Sequence, residues 1–313
     1  MINVGLCFSK PLEGTTPLSH IETKYPVYIK FLDLMMKKGW RVWVLTRKTY
    51  LEKGVFDGGW EYLGNSQFQI VNSRIKMDLV YDKSGGTKFP PDEKLLRVAN
   101  NRKFKVLCWD KWLEYQEIDK YMPKTYWVGE IANLGRILSQ IKTDFVVVKP
   151  INGLKGKGIY IGPKEGALTF DYLKKYKQYI TQEFVDTSGG LPPITSGRHD
   201  VRVVVINKKV VWAHVRVPPK GSYKANAAGG GVLREIDYEK EVPDSIKKIV
   251  EAVSADFYEK YDNPIYSLDF GMDKSGKPFI FEINDQIGFP RPGMKNGDIF
   301  LKELVANFES KLS

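Results

Sequence analysis

Histidine and cysteine are scarce in this sequence, with three of the first and two of the second among 313 residues. Cys7 and Cys108 each lie in an apolar, strand-like run, where a thiol behaves as a small buried hydrophobe, so no disulfide framework is expected. His20, His199 and His214 are scattered, with no cysteine at ligand spacing, which removes support for a zinc site of nitrogen and sulfur. Any metal should therefore be oxygen-bound. No window approaches the roughly 18 uninterrupted apolar residues of a membrane span. The opening "MINVGLCFSKP" runs into a strand-like segment without the basic, apolar and small-residue pattern of a secretory signal, so the expected location is the cytoplasm. Internal repeats and low-complexity segments are also missing.

One sign of charge is in excess. Forty-eight Lys and Arg against 37 Asp and Glu leave +11, a balance that concentrates anions such as nucleotides and acidic metabolites near the protein. The basic residues are dispersed and no RNA-binding aromatic signature accompanies them, so neither nucleic acid nor membrane is an expected partner. The length suits two or three compact lobes.

The first hundred residues alternate strand-like runs (2–8, 41–46, 68–71, 77–82 and 105–108) with amphipathic segments such as 25–38, a pattern that predicts an open parallel sheet with helices on its faces. Beyond residue 110 the order changes. A helix is predicted over 111–121, a strand at "TYWV", and a helix carrying Ile131, Leu134, Ile137, Leu138 and Ile141 on one side. A helix over 172–178 and a strand over 179–185 follow, and the turn-rich stretch 186–197 reads as a mobile connection. The last part holds hairpins over 201–217 and 265–284, a helix over 244–260 and a C-terminal helix with Leu301, Leu304, Val305 and Phe308 inward.

The chemistry starts at "VVVKPINGLKGKGIYIG", residues 146–162, where glycines free backbone amides to approach phosphate oxygens and lysines supply charge. A glycine loop of this kind is also found in plain hairpins, so its neighbours must decide. No Lys-Ser or Lys-Thr closes the loop, which excludes a Walker A sequence, and the dinucleotide spacing is absent. "LDFG" and "RHD" imitate a protein kinase, but Lys149 precedes the loop instead of following it, and only 42 residues remain after Gly271. Glu282 and Asn284 lie two apart on a strand, hence on one face, with Asp269 on the preceding strand. Two carboxylates and an amide oxygen form a hard oxygen site suited to Mg²⁺.

Taken in order, "DKW", "PKTYWV", "VVVKP" with its loop, "TQEFV", "HDVRVVVIN", "VRV" with "KANAAGGG", "LDFG" and "FEIN" resemble the ATP-grasp superfamily of carboxylate–amine ligases. The resemblance covers about residues 110–310 and is nearest to the branch of ribosomal-protein glutamate ligases, lysine-biosynthesis carrier ligases and spore-coat-associated proteins. It implies an α/β architecture: a Rossmann-like pre-ATP-grasp domain over 1–109 and two α+β lobes, 110–185 and 186–313, clasping ATP. By the same resemblance Lys111 and Lys149 would contact the α and β phosphates, under a loop holding Gly153, Lys155, Gly156 and Gly158. Gln182, Glu183, Phe184 and Val185 would hold adenine, Asp200 the ribose, and Lys224 and Asn226 further phosphate oxygens. Arg202 would meet the γ phosphate or the substrate acyl group, Arg216, with Lys149, would act on the transferring phosphoryl group, and Asp269, Glu282 and Asn284 would bind two Mg²⁺ ions, with Mn²⁺ as a substitute.

The implied reaction makes an acylphosphate from a substrate carboxylate and ATP, then an amide with an amine, from small-molecule or peptide substrates. The chain departs from the family pattern at one place: "EINDQIGFPRPGM" has Asp285 where a small residue is common and displaces its Pro-Gly downstream. Arg291 is expected to clamp a carboxylate there and Asp285 to hold an amine. The alternative expectation is an ATP-binding structural or regulatory protein without ligase activity, and assembly with further copies is compatible with either.

Overall fold

A computed structural model describes residues 1–9, 17–87, 94–153, 156–171, 175–223 and 230–313. The chain begins with β1 (Asn3–Phe8), α1 (Tyr25–Met36), β2 (Arg41–Thr46), β3 (Val55–Gly64), β4 (Gln67–Lys76), β5 (Leu79–Asp82) and β6 (Arg97–Ala99). The sheet order is β4-β3-β2-β1-β5-β6. Strands β2, β1, β5 and β6 are parallel, as expected, but β3 and β4 run antiparallel. The reason is local. Asn65 and Ser66 both take positive φ (51° and 62°), the backbone of a tight hairpin turn, so the chain folds back instead of crossing over.

Strand alternation buries both faces of this sheet. Val4, Leu6, Val42, Val44, Leu79 and Tyr81 meet Phe31, Leu32 and Met35 of α1, while Cys7, Trp43, Leu45 and Val80 pack with Phe56, Ile75 and Met77 on the other side.

The run 105–108 is not the strand its composition suggested; it belongs to α2 (Arg102–Trp109), so Cys108 is helical. Asn101 caps this helix by accepting from Phe104 N (3.0 Å), and Phe104, Leu107 and Cys108 have helical spacing. After it α3 (Lys111–Ile118) opens on Asp110, which accepts from Trp112 N at 2.9 Å and Leu113 N at 3.2 Å.

A second, antiparallel sheet of order β7-β10-β8-β9 contains β7 (Thr125–Gly129), β8 (Phe145–Pro150), β9 (Tyr160–Pro163) and β10 (Tyr179–Glu183). The helices α4 (Leu134–Leu138) and α5 (Lys164–Ala167) accompany it. The helix expected over 131–141 is reduced to α4 and a preceding single 3₁₀ turn at Ile131–Asn133. Of the helix expected over 172–178, residues 172–174 lie outside the described residues.

The third sheet, antiparallel in order β13-β12-β11-β14-β15, is made of β11 (Asp200–Ile206), β12 (Lys209–Val217), β13 (Val232–Glu235), β14 (Tyr266–Met272) and β15 (Pro278–Asn284). The short α6 (Tyr238–Glu241), α7 (Asp244–Lys260) and the terminal α8 (Gly297–Leu312) complete the chain. One face of the sheet, with Val201, Val203, Val205, Leu268 and Phe270, packs on Ile246, Val250, Val253 and Phe257 of α7. Stretch 186–197, read as mobile from its turn residues, is anchored there: Leu191 and Ile194 are buried in this core, and Leu191 N donates to Thr195 O (2.7 Å).

On the opposite face Val204, Ile206 and Trp212 pack against α8 and the first sheet, where Phe289 stacks on Tyr28 at 4.1 Å and Phe308 meets Phe31 and Tyr81. The last helix therefore helps complete the core of the first sheet. Asp200, Arg202, Arg216 and Asp269 belong to the other end of this same face and open onto a cavity.

Candidate active site

The cavity, about 620 Å³, lies among the second sheet, the third sheet and the end of β5. Its third-sheet wall follows from strand register. Asp200 faces Arg216 across the β11–β12 pair, Arg202 faces Asp269 across β11–β14, and Asp269 faces Glu282 across β14–β15. Arg202 grips Asp269 in two parallel bonds (Nε to Oδ1 and Nη2 to Oδ2, both 2.6 Å), and Arg216 Nη2 donates to Asp269 Oδ2 at 2.8 Å. Arg216 Nε donates to Asp200 Oδ1. Burial alone would raise the Asp269 carboxyl, but the two guanidiniums outweigh it and hold it well below the usual carboxylate range. Asp200 goes the other way: burial raises it and Arg216 compensates only in part.

Opposite stands a wall of lysines and glutamates. Lys149 near the end of β8 donates to Phe281 O (3.2 Å), and Lys111, at the start of α3, donates to Gly153 O (3.3 Å) and sits 3.5 Å from Glu282 Oε1. Glu114, one helical turn beyond Lys111, is buried and accepts from Ile283 N. Burial pushes the Lys149 ammonium down and the Glu114 carboxyl up, so both move toward neutrality.

Gly153, Gly156, Lys157 and Ile159, between β8 and β9, line the cavity next to these lysines. Gly156 and Gly158 take φ of 69° and 73°, and a Cβ on Gly158 would stand 2.4 Å from the Tyr176 ring, so only glycine suits that position. At the far end Gln182, Glu183, Phe184 and Val185 line the cavity together with Tyr223 and Arg198. Phe184 N is already bonded to Thr143 Oγ1 (3.3 Å) and Gln182 Nε2 to Thr125 Oγ1 (2.8 Å). The Arg198 guanidinium lies 4.3 Å from the centroid of the Tyr223 ring.

Among the sequence-derived candidates, Lys111, Lys149, Gly153, Gly156, Gln182, Glu183, Phe184, Val185, Asp200, Arg202, Arg216, Asp269, Glu282 and Asn284 all line this cavity. Gly158 shapes the loop above it. Lys155, Lys224 and Asn226 lie outside the described residues. Asp285 and Arg291 are not brought into the lining. The Asp285 carboxylate is occupied by the buried Lys105 (2.7 Å), itself 3.2 Å from Asp82, and by Gln286 Nε2 (2.9 Å), so an amine would have to displace them; Arg291 is exposed.

Glu114, buried behind the lining, and Arg198 and Tyr223 within it were missed by sequence reasoning. For Glu114 the signal was available in its three-residue spacing from Lys111 on a helix; Arg198 and Tyr223 join through tertiary contacts alone. Lys83 belongs to the loop 82–86 after a first-sheet strand, the place where open α/β sheets bind ligands, so its position was legible in the sequence.

For a cation, Asp269, Glu282 and Asn284 bring two carboxylates and an amide to one place; both Asp269 oxygens accept from Arg202 and Arg216 and Asn284 turns Nδ2 to Asp269 Oδ2 (3.4 Å), so a cation would share Asp269 with the arginines. Among the described residues no group of three or more His, Cys, Asp or Glu has metal-holding geometry. The set does not make an all-protein cage; its chemistry fits a Mg²⁺ that would take its remaining oxygens from a nucleotide and from water.

Residues 103–288 match the family model described as the RimK-like ATP-grasp domain. A protein named probable alpha-L-glutamate ligase from Mannheimia succiniciproducens is 22% identical over 230 residues, spanning 70% of each chain. The endospore coat-associated protein YheD of Bacillus subtilis is 22% identical over 289 residues, covering 75% of this chain and 63% of its own. Among solved structures, D-alanyl-alanine synthetase A from Vibrio cholerae superposes with a TM-score of 0.68 at 13% identity, over 99% of this chain and 98% of the other, which shows a common fold.

Proposed function

The chain belongs to the RimK-like ATP-grasp family, and from that premise we propose that it is an ATP-dependent ligase joining a carboxylate to an amine with release of ADP and phosphate. The observation that carries this reading is the convergence of Lys111, Lys149, Arg202, Arg216 and the Asp269–Glu282–Asn284 set on one cavity that also reaches the Glu183–Val185 segment. Bound Mg²⁺ would be held by those three side chains and would neutralise phosphate charge. Lys111 and Lys149 would hold α and β phosphate oxygens, and Glu183 to Val185 the adenine. Arg202 and Arg216 would donate to the oxygens on which charge grows as the γ-phosphoryl group passes to the substrate carboxylate. An amine then attacks the acylphosphate carbon and phosphate leaves. The glycine loop over Lys149 would exclude water from that intermediate. Small molecules or peptides are the expected substrates, in the cytoplasm.

The test incubates the protein with Mg-ATP and pools of amino acids, peptides and organic acids, following ADP and phosphate. At least one pool should stimulate release, and Glu282→Ala should reduce it by about 10²-fold. If no pool stimulates release and Glu282→Ala leaves ATP affinity unchanged, the reading fails. ATP binding without release would favour a structural or regulatory protein, and AMP with pyrophosphate an adenylating enzyme.

A further inference from the structure

Lys83 occupies a place in the cavity that the phosphate-binding residues leave unused. It follows β5 directly, and lines the cavity together with Ser9, Ser84 and Gly85. Its Nζ donates to Ile287 O (2.8 Å), in the segment that begins three residues earlier with Asn284, and lies over the rings of Tyr81 and Phe289 at 4.9 and 5.4 Å. Gln286 Nε2 donates to Asp82 O (2.8 Å), which ties the same two segments together.

Among the described residues the two acids nearest this ammonium, Asp285 and Asp82, form no ion pair with it. Asp285 and Asp82 are both engaged by Lys105 of α2, and Asp82 Oδ1 also accepts from Ser84 N (2.8 Å) and Ser84 Oγ. Lys24, which precedes α1, adds a second cation nearby, and the Tyr81 phenol is kept protonated by burial. Of the other titratable groups in the lining, Asp269 and Asp200 pair with arginines and Glu282 with Lys111, Glu183 accepts from the Tyr126 hydroxyl (3.5 Å), and the His199 ring sets Nδ1 3.0 Å from Gly197 O.

We propose that Lys83 is a catalytic base of the second half-reaction, taking the proton that the incoming amine must lose. This rests on the ligase reading above. The nitrogen lone pair forms the C–N bond, the C–O bond to phosphate breaks, phosphate leaves with that electron pair, and an N–H proton passes to Lys83 Nζ and then to solvent. A base is required because an alkylammonium has no lone pair to offer at neutral pH. Burial pushes the Lys83 ammonium down to about 7, with Lys24 and Lys105 acting in the same direction and Asp285 and Asp82 against it. Lys83 is thus available as a free amine as pH rises through neutrality.

Two measurements test this. Trace acetic anhydride labelling of the full chain from pH 5 to 11, read by peptide mass spectrometry, should show Lys83 gaining reactivity at least two pH units below the exposed Lys37. Titration of Lys83 together with Lys37 would overturn the proposal. Hydroxylamine is unprotonated at neutral pH and traps acylphosphates without a base, so it separates the two half-reactions. With Mg-ATP and L-glutamate, then the acids of the screening pools, Lys83→Met should lower amide formation at least 100-fold more than hydroxamate formation. Lys83→Arg, which keeps the charge but accepts no proton, should behave like Lys83→Met; restored activity in Lys83→Arg would overturn the assignment. Equal amide rates in wild type and Lys83→Met defeat Lys83 alone, whereas hydroxamate from neither protein defeats the ligase reading and the proposal with it.

Discussion

On the third-sheet wall of the cavity, Asp269 is closed between Arg202 and Arg216, and its charge is held far outside the range where pH could change it. On the wall formed by β8 and α3, Lys149 lines the cavity and Glu114 is buried behind it, with fewer opposite charges in contact, and burial moves each toward its neutral form. The difference follows from chemistry. A guanidinium offers a planar fork to a carboxylate and keeps its proton, whereas an ammonium is a strongly hydrated point charge that burial readily neutralises. One wall therefore supplies fixed charge, suited to a phosphoryl group in transit. The other is poorly paired until phosphate oxygens arrive, which suits it to binding a nucleotide.

The largest effect is expected from breaking the fixed wall. Asp269→Asn leaves two buried guanidiniums without their shared carboxylate, so ADP release should fall by about 10³-fold and stability by about 3 kcal/mol, read by steady-state assay and denaturant unfolding. Breaking the facing wall should separate activity from stability. Lys149→Met should weaken ATP binding or turnover by about 10²-fold, while the melting temperature without nucleotide stays level or rises, because a buried and poorly paired ammonium has been removed. A melting temperature that falls as far as that of Asp269→Asn would erase the contrast between the walls.

The smallest effect on turnover concerns pH and is read in stability. The Glu114 carboxyl is raised in the folded chain, chiefly by burial and then by Glu282, so its contribution to stability is full below the ordinary glutamate range and is lost as pH rises toward about 8. Glu114→Gln carries no such titration. Without nucleotide or metal, the stability of wild type relative to Glu114→Gln should fall between pH 5 and 8.5, by about 1.4 kcal/mol for each pH unit over which the carboxyl is held protonated. Unfolding curves that stay parallel across that range would show that Glu114 is not held protonated.

Much of the site was legible because strands have a period of two. Asp200 with Arg202, and Glu282 with Asn284, could be placed on shared faces from spacing, and the structure sets both pairs on the cavity. Helical spacing would likewise have found Glu114. The segment around Cys108 was misread because an apolar run of four has no decisive period, and the Asn101 cap and Phe104 that identify the helix lie just before it. The β3–β4 hairpin was missed because Asn65-Ser66 is a weaker turn signal than Asn-Gly, and stretch 186–197 because its turn residues conceal two core anchors, Leu191 and Ile194.

By itself, the sequence determined which chemical groups were present, their order and the strand faces they share, since these depend on residue type and on a backbone repeat. Only the tertiary structure decided how the charges are partnered. Lys105 reaches Asp285 across 180 residues, and Arg216 reaches Asp269 across 53. It also decided that α8 would cover one end of the third sheet and leave the other open. Such pairings arise where separate segments pack and exclude water, and an ion pair made that way has no local pattern in either segment.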